Sequence, residues 1–98
     1  MFVHTVYFWL QDGTSEENKK KFIAGVETLK DISAATACYV GTPADTHRAI
    51  IDRSYDVALT VICKDKAAHD EYQVDPIHLK FVENFQPMFG RVLIYDAD

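Results

Sequence analysis

The sequence predicts a single α+β domain in which an antiparallel sheet carries helices on one face. The first indication is that stretches rich in aromatic and β-branched residues alternate with stretches whose apolar residues recur at helical spacing. The second is their order, which is strand, helix, strand, strand, helix, strand, with a proline interrupting the last helical region. The third is size, because 98 residues with 48% hydrophobic content supply one core and leave no room for a second. We therefore expect residues 1–98 to form one domain.

The first predicted strand spans residues 2–10, which are mostly aromatic and β-branched. Alternation assigns its side chains to two faces, with Phe2, His4, Val6, Phe8 and Leu10 on one and Val3, Thr5, Tyr7 and Trp9 on the other. Both faces are mostly apolar. A turn at Gln11-Asp12-Gly13 ends the strand.

The first helix is predicted over residues 15–31. Thr14 and Glu17 have the spacing of a capping box, in which a hydroxyl and a carboxylate satisfy free backbone donors of the first turn. An apolar stripe at helical spacing marks the face that packs on the sheet, and its members are Phe22, Ile23, Val26 and Leu29.

The middle of the chain contains two further predicted strands joined by a polar connection. Residues 34–40 form a weaker strand that is closed by Gly41-Thr42-Pro43. Residues 44–53 form the connection, in which residues 49–51 could pair briefly. The third strand, residues 55–63, sets Tyr55, Val57, Leu59, Val61 and Cys63 on one face and Asp56, Ala58, Thr60 and Ile62 on the other.

Two helices separated by a proline precede the last strand. Asp65 is suited to cap a helix that continues to about Gln73, and Asp75-Pro76 is suited to begin the next, because proline at the first helical position loses no hydrogen bond. The second of these helices directs Ile77, Phe81, Val82 and Phe85 inward. Residues 91–96 form the final strand. The resulting β-α-β-β-α-β order is the split βαβ arrangement of ferredoxin-like folds.

One face of this sheet has no helix to cover it. That face would carry Tyr7, Trp9, Ala58 and Ile62, or the residues of the opposite alternation. Together these residues would form a larger apolar patch than a soluble monomer usually exposes. We therefore expect a homodimer in which two copies pack through their open sheet faces.

The composition disfavours several classes of protein. Fifteen acidic and ten basic residues give a net charge of −5, which disfavours a nucleic-acid partner, and the short run Lys19–Lys21 is diluted by neighbouring glutamates. No stretch approaches the roughly 20 apolar residues of a membrane span, and residues 2–10 lack the basic flank and cleavage site of a signal peptide. Cys38 and Cys63 are isolated and are expected to be buried free thiols, so we expect a cytoplasmic protein with no membrane partner.

The chemically most informative stretch lies at the break between the last two helices. His78 is predicted in the first turn of its helix, where the positive end of the helix dipole disfavours imidazolium, so we expect a neutral ring that can accept a proton. Tyr72 lies just before the break and brings a phenol. Each residue also has a structural interpretation. His78 could bond a backbone group at a buried corner, and Tyr72 could be an aromatic wedge that closes the helix.

The other histidines are less informative. His4 lies on an apolar strand face and is more typical of a satisfied core residue, and His47 and His69 are expected to be exposed. Motifs for a nucleophilic serine, a phosphate loop or paired cysteines are missing. Asp75 and His78, three residues apart, could chelate a metal together with His4, but Asp75 is needed as a helix cap. We therefore expect neither a metal nor a cofactor.

Several short motifs occur together along the chain. They are His4-Thr5-Val6-Tyr7-Phe8, Gly41-Thr42-Pro43, Ser54-Tyr55-Asp56, Tyr72 followed by Pro76, His78 and Phe81, and Val92-Leu93-Ile94-Tyr95-Asp96. In this combination, and over essentially its whole length, the sequence resembles the stress-responsive A/B barrel (Dabb) family. The resemblance implies a ferredoxin-like protomer that forms a dimeric α+β barrel.

The resemblance also implies a site. A plant polyketide cyclase of this family performs an aldol condensation, and the resemblance implies His78 as general base, Tyr72 as the group that holds the substrate carbonyl and His4 as a supporting polar group. The apolar pocket lining that it implies is Val6, Phe8, Ile23, Val26, Leu59 and Phe89. Two positions depart from the pattern: Val57, where the cyclase has a histidine, and Asp75, where the family often has one.

These inferences leave three functions open. The leading one is a pocket for a carbonyl-bearing, partly apolar metabolite, with acid–base chemistry such as cyclisation, isomerisation or lyase action. The alternative is a non-catalytic stress-response or ligand-binding dimer. A cavity of roughly a few hundred Å³ with converging polar groups would favour an enzyme or a ligand-binding protein, and a filled interior would favour a structural role. The third is a monooxygenase of the wider dimeric α+β barrel superfamily, for which the sequence has no specific feature.

Overall fold

The computed structural model describes residues 1–98 and contains one sheet and three α-helices. The strands are β1 (Phe2–Leu10), β2 (Ala35–Gly41), β3 (Val57–Cys63) and β4 (Phe89–Ala97). The helices are α1 (Glu16–Glu27), α2 (Lys66–Val74) and α3 (Pro76–Phe85), with 3₁₀ turns at Thr28–Asp31 and Gln86–Met88. The predicted order of elements is confirmed, and the proline separates α2 from α3.

The four strands form one antiparallel sheet in the order β2-β3-β1-β4. β1 lies between β3 and β4, so that His4 pairs with Val61 on one side and with Asp96 on the other. The rings of Phe22 on α1 and Phe81 on α3 lie 5.1 and 6.1 Å from the ring of Phe8, which places both helices on the same face of the sheet. This is the ferredoxin-like fold that the sequence predicts.

Alternate residues of β1 and β3 build the core against the helices. The buried apolar residues of these strands are Phe2, Val6, Phe8, Leu10, Val57, Leu59, Val61 and Cys63, and the helices and the turn after α1 add Phe22, Val26, Leu29, Tyr72 and Phe81. Each large apolar side chain contributes about 1.5–3 kcal/mol when it is fully buried, so the alternation of the two strands fixes which face receives the helices. Both cysteines are free, Cys63 fully buried and Cys38 half-buried.

Aspartates cap α2 and α3 as predicted. The carboxylate of Asp65 accepts a hydrogen bond from the Ala68 N–H at 2.9 Å. The carboxylate of Asp75 accepts one from the Ile77 N–H at 2.8 Å, with Pro76 in the first turn. The starts of α2 and α3 are therefore fixed by the aspartate that precedes each helix.

The expected capping box of α1 is wrong by one residue. The hydroxyl of Ser15 accepts the hydrogen bond from the Asn18 N–H at 3.1 Å. The hydroxyl of Thr14 instead donates to the Gln11 carbonyl at 2.6 Å and so belongs to the preceding turn. The helix ends at Glu27, and its predicted last turn is 3₁₀.

No strand forms between β2 and β3, so the brief pairing expected at residues 49–51 is wrong. β3 begins at Val57, two residues later than predicted. Just before it, the N–H of Asp56 donates to the Phe8 carbonyl, and the Asp56 carboxylate accepts from the Leu10 N–H, both at 2.8 Å. Asp56 thus ties the start of β3 to the end of β1.

The face of the sheet away from the helices carries several aromatic side chains. Tyr7, Trp9, Asp52, Tyr55, Leu93 and Tyr95 line a groove of about 320 Å³ there. Tyr95 is 62% exposed, and the guanidinium of Arg91 lies 4.4 Å from the centroid of the Trp9 ring. An aromatic and apolar surface thus lies opposite the helices. None of the helices is both long enough and apolar enough to cross a membrane.

Candidate functional site

The break between α2 and α3 places Tyr72 and His78 against the sheet. Tyr72 lies in the last turn of α2, and His78 is the third residue of α3. Asp75 is at once the C-cap of α2 and the N-cap of α3, with an extended backbone (ψ 139°). Because this single capping residue joins the two helices, the backbone of the corner sets the relative position of the phenol and the imidazole.

The rings of Tyr72 and His78 meet edge to face, with their centroids 5.1 Å apart and their planes at 68°. Tyr72 is fully buried and His78 is half-buried. Tyr72 Oη and His78 Nδ1 are buried atoms, and neither has a hydrogen-bond partner in the protein. Buried polar atoms are nearly always paired, and one left unpaired costs about 1–3 kcal/mol. Two such atoms on neighbouring rings are therefore an arrangement that a ligand would explain.

Burial favours the neutral form of both groups. It lowers the pKa of His78 below the ordinary value of 6.5, and the nearby His4 and His69 act in the same direction. It raises the pKa of Tyr72 far above the ordinary value of 10. At pH 7 the imidazole is therefore neutral and can accept a proton, whereas the phenol keeps its proton and can donate a hydrogen bond.

Tyr72 and His78 both line a cavity of about 120 Å³ between the sheet and the helices. The other lining residues are His4, Val6, Phe8, Leu29, Leu59, Gln73, Phe81, Val82, Phe89, Val92 and Ile94. Of the apolar residues implied by the family resemblance, Val6, Phe8, Leu59 and Phe89 are thus on the cavity wall. Ile23 and Val26 do not line it: Val26 is fully buried in the core, and Ile23 packs against that core.

α3 and β4 contribute more to the cavity than the predicted His78 and Phe89, because Phe81, Val82, Val92 and Ile94 also line it. Phe81 and Val82 follow His78 by three and four residues, so helical spacing already placed them on its face. Val92 and Ile94 pair with two cavity residues of β1, and only the register of the sheet brings them here. Because they are 38% and 48% exposed, the cavity has an apolar rim that reaches solvent.

His4 lies on the helix-facing side of β1 and is buried. Its Nδ1 is 2.5 Å from Oδ1 of Asp96 and 3.2 Å from Nε2 of His69. The prediction that His69 is exposed is wrong, because its side chain is buried and its ring stacks on Phe2 with centroids 4.4 Å apart. The sequence held a signal for this position, since His69 precedes Tyr72 by three residues and so shares its buried helix face.

Comparison with known proteins places this chain in a family. Residues 2–98 match the family described as Stress responsive A/B Barrel Domain, or Dabb. The chain belongs to the Dabb family. No curated protein matches the sequence.

Solved structures similar to this Dabb protein share its fold along nearly the whole chain. A Dabb family protein from Mesorhizobium loti with a ferredoxin-like fold is 24% identical, with a TM-score of 0.79 over 99% of this chain and 94% of that chain. A dimeric ferredoxin-like protein of unknown function from Thermobifida fusca is 18% identical, with a TM-score of 0.79 over 98% of this chain and 88% of that chain. The hydroxynitrile lyase from Passiflora edulis is 20% identical, with a TM-score of 0.78 over 98% of this chain and 90% of that chain. At these identities the likeness shows the fold alone.

The remaining predicted positions of the Dabb protein lie apart from the cavity or are otherwise engaged. Asp75, His78 and His4, considered above as a metal-binding set, do not converge, and Asp75 is used as a cap. His47 is exposed, as predicted. Val57, where the related cyclase has a histidine, is fully buried and does not line the cavity.

Proposed function

We propose that this Dabb protein binds a small, partly apolar carbonyl compound in the cavity and performs acid–base chemistry on it. The observation that carries the proposal is the pair of buried polar atoms, Tyr72 Oη and His78 Nδ1, that have no protein partner beside one cavity. A carbonyl oxygen would accept the hydrogen bond of the phenol. A proton on the adjacent carbon, or on a hydroxyl of an adduct, would then face the imidazole.

The two side chains have complementary roles in this chemistry. His78 is the general base: its neutral ring nitrogen accepts a proton from the carbon next to the carbonyl, and the electron pair of the broken C–H bond forms a C=C bond. The carbonyl π electrons move to oxygen, where the Tyr72 hydroxyl stabilises the negative charge. His4 is a supporting polar group on the same wall. Proton transfer of this kind needs no cofactor.

The size of the cavity indicates what part of a ligand it would hold. Ligand sites commonly measure roughly 300–1,000 Å³, and this cavity of about 120 Å³ is smaller. It therefore suits the reacting carbonyl group and a few neighbouring atoms rather than a whole metabolite. The exposed apolar side chains of Val92 and Ile94 lie at its rim and would cover an apolar remainder of the ligand.

The hydroxynitrile lyase with this fold supplies a second type of reaction to test. In the cleavage of a hydroxynitrile, a base removes the hydroxyl proton, the oxygen electron pair forms the C=O bond, and the C–C bond breaks to release cyanide. The same base and hydrogen-bond donor would serve that reaction. Because one fold carries many activities, this likeness motivates the substrate choice and does not decide it.

The test uses two probes that carry a carbonyl or form one. Exchange of the α protons of cyclopentanone for deuterium, followed by NMR, measures the proton abstraction. Release of benzaldehyde from its cyanohydrin, followed by absorbance, measures the lyase reaction. Binding of benzaldehyde is measured in parallel by protein NMR, and all buffers contain a chelator.

The expected result is that wild-type protein accelerates at least one reaction and that the two cavity variants lose it. Loss of the base in His78→Gln should lower the rate by about 10²–10⁴-fold. Loss of the donor in Tyr72→Phe should lower it by about 10²–10³-fold. His47→Gln, at an exposed histidine, is the matched control and should keep full activity. If both cavity variants turn over a probe as fast as wild type, the assigned roles are wrong.

The small cavity also favours the second candidate, a ligand-binding dimer without catalysis. In that case benzaldehyde would bind to the wild type, and Tyr72→Phe would weaken binding, but neither probe would be converted. A protein that neither binds nor converts the probes would support a structural role for both rings.

We also propose that the protein is a homodimer formed through the open sheet face. The aromatic side chains of this face, with Tyr95 62% exposed, support the proposal, as does the dimeric state of the Thermobifida fusca protein. Light scattering after size-exclusion chromatography at micromolar concentration should give twice the chain mass. Tyr95→Lys should shift the protein to monomer. Ile50→Lys, which alters an apolar residue outside the sheet that is 80% exposed, should leave the dimer intact. A monomeric wild type would contradict this proposal.

A further inference from the structure

Beside the Tyr72–His78 cavity lies a group of polar side chains of which the proposed chemistry uses only His4. The group comprises His4 on β1, His69 on α2 and Asp96 on β4, and we call it the His4–His69–Asp96 cluster. Each residue contributes one nitrogen or oxygen atom, and these three atoms lie within 4.8 Å of one another. The two histidines are buried, and the aspartate is exposed at the edge of the sheet.

Hydrogen bonding alone leaves this cluster crowded. His4 Nδ1 has two polar neighbours, Asp96 Oδ1 at 2.5 Å and His69 Nε2 at 3.2 Å. His69 Nε2 also has the side-chain amide of Gln73 at 3.0 Å. An imidazole nitrogen presents one site in the ring plane, either an N–H or a lone pair, so each nitrogen faces one partner more than it can bond linearly. A cation between the two rings would use one lone pair from each.

The spacing of the two nitrogens suits a small divalent ion. Zinc–nitrogen bonds of about 2.0–2.1 Å in a tetrahedral arrangement hold two nitrogens about 3.3 Å apart. The nitrogens of His4 and His69 are 3.2 Å apart. The distance of 2.5 Å between Asp96 Oδ1 and His4 Nδ1 is shorter than the separation of two atoms that bind the same metal ion. The Asp96 side chain is 40% exposed on an edge strand, where it can rotate outward. Two imidazoles and one carboxylate form a typical three-residue zinc set that leaves a fourth position open.

The surroundings of His69 are those of an oriented ligand. Phe2 stacks on its ring and limits rotation. The carboxylate of Asp70 lies 3.7 Å from the other ring nitrogen, Nδ1, where it would favour the tautomer that leaves Nε2 free to bind a metal.

We propose that the His4–His69–Asp96 cluster binds one divalent transition-metal ion per chain, of the Zn²⁺ type, through His4 Nδ1, His69 Nε2 and a carboxylate oxygen of Asp96. A mixed imidazole and carboxylate set suits Zn²⁺ and its neighbours in the transition series, whereas Mg²⁺ and Ca²⁺ prefer oxygen ligands. The ion would link β1, α2 and β4. This inference does not rest on the proposed carbonyl chemistry, which shares only His4 with the cluster and whose base and hydrogen-bond donor lie outside it.

The test is a titration of the full chain, freed of metal by a chelator that is then removed. Calorimetry with Zn²⁺ should give about one equivalent per chain, Co²⁺ should give the visible absorbance of a four-coordinate site, and both ions should raise the melting temperature. Asp96→Asn and His69→Gln should each weaken Zn²⁺ binding by at least about tenfold, because even loss of an outer-shell partner commonly has that effect. Asp96 is exposed, so its variant tests the site without disturbing the core.

A matched control comes from His47, which lies 2.6 Å from Asp45 in an exposed pair without a second histidine. His47→Gln should leave Zn²⁺ binding unchanged. His78→Gln should also leave it unchanged while it removes the carbonyl chemistry, so the two proposals fail separately. The metal site is refuted by a wild-type protein that binds no Zn²⁺. It is equally refuted by binding that survives both cluster variants, or by binding that His47→Gln weakens to the same extent.

Discussion

Replacement of Tyr72 by phenylalanine should make this protein more stable, whereas removal of a buried tyrosine hydroxyl usually destabilises a fold. Tyr72 is fully buried, and its hydroxyl has no partner in the protein. Folding therefore removes the hydroxyl from water without a compensating bond, which costs about 1–3 kcal/mol. The substitution keeps the ring and its contact with His78. We expect the free energy of unfolding to rise by about 1 kcal/mol, the lower end of the range, because the hydroxyl borders a cavity.

Urea denaturation of wild type and Tyr72→Phe at equal protein concentration measures this difference. The denaturant slope should be the same for both, so that the shift of the midpoint gives the change in stability. For a domain of this size, about 1 kcal/mol corresponds to roughly 4–8 °C in melting temperature. Tyr39→Phe is the matched control, because Tyr39 is 64% exposed on β2, and its stability should change by less than about 0.5 kcal/mol.

A loss of about 0.5–1.5 kcal/mol in Tyr72→Phe would refute this reasoning, because that is the signature of a hydroxyl with a structural hydrogen bond. The same variant should bind benzaldehyde less tightly than wild type. Higher stability together with weaker binding is the combination expected of a polar group that is kept for a ligand at the expense of the fold.

Three other perturbations test separate parts of the structure. Because burial lowers the pKa of His78 in the folded state, the unfolded chain binds the proton first. The free energy of unfolding should therefore fall as the pH drops below about 6.5, by at most about 1.4 kcal/mol per pH unit for this group, and His78→Gln should flatten the slope in urea titrations; equal slopes would contradict this. Gly25→Ala should destabilise the protein by about 1–3 kcal/mol, because the added methyl group would overlap the ring of Phe85. In a double-mutant cycle, Phe85→Leu should recover part of this loss of stability, and strictly additive losses would exclude the overlap. Asp75→Ala should reduce stability by about 0.5–2 kcal/mol and weaken benzaldehyde binding, whereas Asp75→Asn, which still accepts from Ile77, should retain both; similar losses in the two variants would show that the charge rather than the cap matters.

The parts of the structure that local sequence determines were predictable. The alternation in β1 and β3 set the buried face of the sheet, and the caps at Asp65 and Asp75 fixed the starts of α2 and α3. The corner that holds Tyr72 and His78 follows from those caps and from one proline. Each of these features depends on residues within a few positions of one another.

Two of the features that were missed depend on the long-range register of the sheet. Asp96 meets His4 across 92 positions of the chain, only because β4 pairs with β1 in one register. Val92 and Ile94 reach the cavity for the same reason. His69 was misjudged because α2 is short and mostly polar, so its buried face is defined by little more than His69 and Tyr72. Ile23 and Val26 of α1 were predicted to line the cavity and do not. An apolar helix stripe identifies core positions, but it does not tell which of them border a cavity.

A crystal structure of the protein soaked with benzaldehyde tests the proposed function most directly. We expect the carbonyl oxygen within about 2.5–3.0 Å of Tyr72 Oη, the carbonyl carbon beside His78 and the ring against Val92 and Ile94. Benzaldehyde bound elsewhere, with the phenol and the imidazole both bonded to protein groups, would contradict the proposed function and leave the corner with a structural role.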